Sequence, residues 1–86
     1  MKFYVYIVFY ENNALHSVGV TTNLCERLKL LSHLEKKDLH LVYYEVFENS
    51  DLATRREDDL SSLGKSQIDG LIRSVNPLMV DLGGHL

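Results

Sequence analysis

From Phe3 to Tyr10 the chain alternates without a break, with Phe3, Val5, Ile7 and Phe9 on one parity and Tyr4, Tyr6, Val8 and Tyr10 on the other. This is the two-residue period of a strand, built from β-branched and aromatic residues. Both parities are apolar, which predicts a strand inside a sheet that helices cover on each face. Glu11-Asn12-Asn13-Ala14 then breaks the pattern with residues suited to a hairpin turn, and a second strand follows over residues 15 to 21. With Asn12 and Asn13 as the loop residues, Tyr10 pairs with Leu15, Val8 with Ser17, Tyr6 with Gly19 and Tyr4 with Thr21. Opposed residues point to the same side, so Tyr4, Tyr6, Ser17 and Thr21 share a face and Tyr6 lies over the open space beside Gly19.

The period changes after the threonine pair. Leu24, Leu28 and Leu31 follow helical spacing, and the helix is expected to start at Thr22 or Asn23 with Glu26 as a capping partner. Arg27 borders that stripe, and on the residues alone it reads as an arginine snorkelling at a helix edge. A charged loop over residues 35 to 38 leads to a third strand, residues 39 to 47. Glu48-Asn49-Ser50-Asp51 caps a second helix expected over about residues 51 to 63 and ended by Gly64. Its buried face is Leu52, Ala53, Leu60 and Leu63. Arg56 falls near the middle of that face and Glu57 on its shoulder, where the plain expectation is pairing with neighbours along the surface. Ser66 is expected to open a third helix with the stripe Ile68, Leu71, Ile72 and Val75, stopped by Asn76-Pro77. The tail is expected to pack apolar residues back onto the sheet and to fray at Gly-Gly-His. The order ββαβαα predicts an α+β sandwich: a three-stranded, mainly antiparallel sheet flanked by helices.

Composition narrows the function classes more than the fold. Eighty-six residues make one domain, 1 to 86, and 45% hydrophobic with 24% charged is ordinary for a globular chain. No stretch nears the roughly twenty apolar residues of a membrane helix. The N-terminal apolar run carries three tyrosines, alternates like a strand and lacks a small-residue cleavage site, so the cytoplasm is the expected compartment. The lone Cys25 is expected to be a small buried apolar residue. His16, His33, His40 and His85 lack the spacing of a zinc site. A net charge of -3 argues against a broad basic footprint for nucleic acid, although Arg27, Arg55, Arg56, Lys65 and Arg73 could gather locally.

No phosphate loop, nucleophile elbow or Cys-His pair is present. A tyrosine-bearing face, an arginine and a carboxylate remain, and these types suit phosphodiester hydrolysis with a divalent cation. The run Tyr4-Val-Tyr-Ile-Val8, then Ser17-Val-Gly19, the threonine pair and Arg27 on the next helix resemble the GIY-YIG nuclease superfamily. Small single-domain bacterial members look similar over nearly the whole chain, including Leu41 to Phe47, Ala53-Thr-Arg-Arg-Glu57, Leu60, Leu71-Ile72, Asn76-Pro77 and Asp81-Leu82. The resemblance implies Tyr6, Arg27 and Glu57 as catalytic residues, with one Mg²⁺ or Mn²⁺ held by Glu57. It places Gly19 and Asn76 at the substrate, which is nucleic acid, with DNA expected.

Two positions depart from that pattern. Ser17 stands where the second motif has a tyrosine, and Leu31 stands where a histidine is frequent, with His33 two positions late. Serine is shorter and far less acidic than a phenol, and a positioned acid or base contributes about 10² to 10⁴ in rate. Tyr4 and Tyr10 are the phenols available to substitute. The sequence therefore supports a metal-dependent nuclease of reduced activity, or a non-catalytic module of the same fold that binds nucleic acid or protein. A protein-contact surface made of Tyr4, Tyr10, Tyr43 and Tyr44 is a third reading, although sheet packing accounts for these tyrosines more simply.

Overall fold

The computed structural model describes residues 1–11, 14–35 and 39–85; the expected hairpin residues Asn12 and Asn13 and the loop residues 36–38 lie outside them. Strand β1 (Phe3–Tyr10) is central, with β2 (Leu15–Thr21) on one side and β3 (Leu39–Phe47) on the other, both antiparallel to it. Every expected pairing of β1 with β2 is present, including Tyr6 opposite Gly19 and Val8 opposite Ser17. On the other side the register shifts: Ile7 pairs with Tyr43 but Val8 with Leu41, so Val42 is the extra residue of a bulge.

Helix α1 (Leu24–Glu35) covers one face, where Leu24, Leu28 and Leu31 pack with Tyr6, Val8 and Leu41. Helices α2 (Ser50–Ser61) and α3 (Lys65–Val75) cover the other, setting Ala53, Leu60, Ile68 and Ile72 against Val5, Ile7 and Val42. The two-faced apolar pattern of β1 is thus used on both sides. Ile7, Leu60 and Ile72 are fully buried, each contributing about 1.5–3 kcal/mol of apolar burial. A short 3₁₀ turn, Leu82–His85, follows, and Leu82 packs on the α1 face.

The helix ends differ from expectation. Helix α2 begins at Ser50 behind an Asn49 cap, whose Oδ1 accepts from the Asp51 and Leu52 amides, and it closes at Ser62 instead of running to residue 63. Gly64 does not end α2; its extended backbone caps α3, and its amide donates to Gln67 Oε1 at 2.9 Å. Ser66 therefore lies inside α3. Leu52 is 51% exposed, because it falls about 100° round the helix from the Ala53 position that touches the sheet. Val75 is 67% exposed, on the stripe's own axis but at the last residue of α3, where none of the described residues covers it. Cys25 is exposed, not buried, since the leucine stripe of α1 begins one residue earlier and turns its neighbour outward. The Gly-Gly-His segment takes part in the 3₁₀ turn instead of fraying.

Candidate functional site

The junction of β2 and α1 is fixed by short-range polar contacts. Thr21 Oγ1 accepts from the Asn23 amide at 3.1 Å and donates to the Asn23 carbonyl at 3.2 Å. Asn23 Oδ1 accepts from the Glu26 amide at 3.1 Å, and the Asn23 carbonyl takes the Arg27 amide as the first helical bond. These bonds set the phase of α1 and hence the place of Arg27. Its side chain is half-exposed and, among the described residues, makes no hydrogen bond or ion pair. It lines a groove of about 210 Å³ with Thr21, Thr22, Asn23, Glu26 and Leu30.

On the same face of the sheet Tyr6 is buried, and its hydroxyl lies directly over Gly19: a Cβ on Gly19 would overlap Tyr6 Oη and Cζ. The glycine's role is this close approach. Ser17 is exposed on that face, opposite Val8. Tyr6, Gly19 and Arg27 thus belong to one side of the sheet.

Glu57 does not join them directly. It is half-buried on α2, the helix that packs against Val5 and Ile7 on the opposite face. Among the described residues it contacts neither Arg27 nor Tyr6 through a hydrogen bond or ion pair. Helix α2 packs on all three strands, most extensively on β2 and β1. No group of three or more His, Cys, Asp or Glu side chains suited to an ion occurs among the described residues. A lone uncommitted carboxylate fits a cation that keeps most of its water and takes its other ligands from phosphate, which is the habit of Mg²⁺.

Asn76 is fully committed elsewhere. It is buried, its Nδ2 donates to the carbonyls of Val42 and Val80 at 3.0 and 2.9 Å, and its Oδ1 accepts from the Val80 amide at 3.0 Å. Both amide protons hold the tail against β3, so none remains for a substrate. The helix-ending role of the Asn-Pro pair is the one these bonds account for.

One polar cluster escaped sequence reasoning. Arg56 donates from Nε and Nη2 to the Glu45 carboxylate at 2.9 to 3.2 Å, and the Tyr43 hydroxyl donates to the same carboxylate. Burial alone would raise the Glu45 pKa, but bonds from Arg56 and Tyr43 outweigh it and hold the carboxyl below its ordinary value. Burial, then the carboxylate, pushes the Tyr43 phenol up. Arg56 in the middle of an apolar helix face was the available signal. Its partner sat on a strand whose bulge shifts the register, which local spacing does not reveal.

No family model and no curated protein matches the chain. Among solved structures, the fold is similar to that of the UPF0213 protein BH0048 from Bacillus halodurans, determined in solution by NMR. The two agree with a TM-score of 0.65 and 22% identity, over 91% of this chain and 89% of that one. The likeness is one of fold. No helix among the described residues is long and apolar enough to cross a membrane.

Proposed function

We propose that this chain is a GIY-YIG-type domain acting on nucleic acid, with DNA as the expected substrate and phosphodiester hydrolysis as its reaction. The observation that carries this reading is the Tyr6 hydroxyl laid over Gly19, on the face covered by the following helix, whose Arg27 side chain makes no hydrogen bond or ion pair among the described residues. Arg27 would bind the phosphate and offset the charge that grows on it, and Tyr6 would orient the attacking water. Glu57 would hold one Mg²⁺ or Mn²⁺. When bound, such an ion polarises the phosphate and acidifies water.

The test is cleavage of duplex, nicked, flapped and branched DNA with each metal. Metal-dependent cutting is expected, lost in Glu57→Ala and Arg27→Ala and raised about 10²-fold or more by Ser17→Tyr. Wild-type protein that cuts no faster than Glu57→Ala on every substrate would overturn hydrolysis.

Ser17 and the position of α2 on the far face favour a second reading, a module that binds nucleic acid without cutting it. Binding would then persist with the metal chelated and be insensitive to Glu57→Ala. Arg27→Ala would weaken it and lower the slope of log affinity against log salt by about 0.9, the contribution of one phosphate contact.

A further inference from the structure

The two outer strands of the sheet are treated differently. The first half of the β3 margin is tied down: Asp81 Oδ1 accepts from the Leu41 amide at 3.2 Å, Asn76 Nδ2 donates to the Val42 carbonyl, and the bulge at Val42 breaks the register. Strand β2 pairs with β1 in continuous register, and among the described residues nothing pairs with its outer side. Its sequence, Leu-His-Ser-Val-Gly-Val-Thr, contains no lysine, no proline, no carboxylate and no bulge, the devices that keep open strands from pairing. Beside its first half lies a groove of about 390 Å³ between the strand and the α2–α3 turn. Val18, Leu60, Leu63 and Ile68 give it apolar walls, and Lys65 stands at it exposed, with no carboxylate partner among the described residues.

From this juxtaposition we infer that the open margin of β2 takes an extended peptide as a fourth strand, with apolar side chains of the peptide entering the groove and one carboxylate meeting Lys65. Strand addition draws its affinity from backbone bonds and its selectivity from pockets for alternate side chains, and β2 with its groove supplies both. Charge chooses the occupant. A second copy of β2 brings no carboxylate to Lys65, and a polyanionic nucleic acid would meet a single cation on a chain of net charge -3. The groove involves residues 15–18 and the α2–α3 turn, whereas the junction lined by Arg27 involves residues 21–30, so the two grooves share no lining residue.

The experiment titrates isotope-labelled full-length protein with a blocked synthetic heptapeptide that alternates valine and threonine around one central glutamate. The amides of residues 15–21 are expected to shift and gain hydrogen-exchange protection. Lys65→Glu should weaken the complex at least tenfold and favour the matching peptide with lysine at its centre, while a peptide N-methylated on alternate amides should not bind. Retained spectral dispersion in Lys65→Glu shows that the variant is folded. The inference is overturned if β2 is unmoved at millimolar peptide, if the glutamate and lysine peptides bind alike, or if protection of β2 follows protein concentration without peptide. It is also overturned if a DNA oligonucleotide, not the peptide, shifts these amides.

Discussion

The β3 and β2 margins of one small sheet use their polar groups in opposite ways. Along β3, Asn76, Asp81, Tyr43, Glu45 and Arg56 are all joined to backbone or to each other. Beside β2, the side chains of Arg27 on α1 and Lys65 at the start of α3 make no hydrogen bond or ion pair among the described residues, and none of those residues pairs with the outer backbone of the strand. A polar side chain that the fold consumes contributes stability and cannot also bind a ligand; one left unspent contributes little stability and remains available. Substitutions at the first margin should therefore cost stability, and substitutions at the second should cost binding.

The largest loss is expected from Asn76→Ala. It removes three hydrogen bonds from a site that is 5% exposed and strands the Val42 carbonyl, a penalty of roughly 2–4 kcal/mol by urea unfolding. Gly19→Ala comes next, at about 1–3 kcal/mol, because the new methyl overlaps the Tyr6 ring. The same change in a Tyr6→Ala background should cost much less, and a double-mutant cycle with no coupling would show that the ring is not what holds the site to glycine. Glu45→Gln should follow at about 1–2 kcal/mol, reduced because the Arg56 side chain is 35% exposed and can turn to water. Glu45 has a depressed pKa in the folded state, so its contribution is present above the ordinary carboxylate range and lost as pH falls through the folded value; Glu45→Gln should flatten that acid limb. Arg27→Ala, at the other margin, should leave the unfolding midpoint within about 0.5 kcal/mol of wild type.

How much of this was legible in the chain divides along the same line. Local periodicity determines the β1–β2 hairpin, so the placement of Tyr6 over Gly19 followed from counting outward from two asparagines. The central position of β1 followed from its two apolar faces. Gly64 departs from expectation because a glycine after an apolar stripe more often stops a helix than starts one, and only the bond from its amide to Gln67 shows that here it caps α3. The Asn76 tether and the Glu45–Arg56 pair join positions 34 and 11 residues apart, and no short-range pattern encodes such partners. The same limit applies to Glu57, whose side of the sheet depends on how α2 packs and not on its own spacing. Motif order along a chain does not specify the face on which each residue arrives.

The smallest effect expected is at His16, which sharpens the comparison because it belongs to β2 yet is partly consumed by the fold. Its ring packs against Phe9 at 5.2 Å between centroids, and its Nε2 is buried without a hydrogen-bond partner among the described residues. Burial lowers its pKa below the ordinary imidazole value, Asp69 opposing the shift and Lys65 adding to it. The unfolded chain takes up the proton near about pH 6.5, while the folded protein takes it up only at lower pH. Above that point both states are neutral and His16 adds no pH dependence. As pH falls through about 6.5 toward the folded value, the unfolded state binds more protons and stability drops. His16→Gln should remove this slope while leaving the acid limb of Glu45 in its separate, lower window. Identical slopes for wild type and His16→Gln between neutral pH and the carboxylate range would mean that the imidazole is free to charge, and that even this residue of β2 remains unspent.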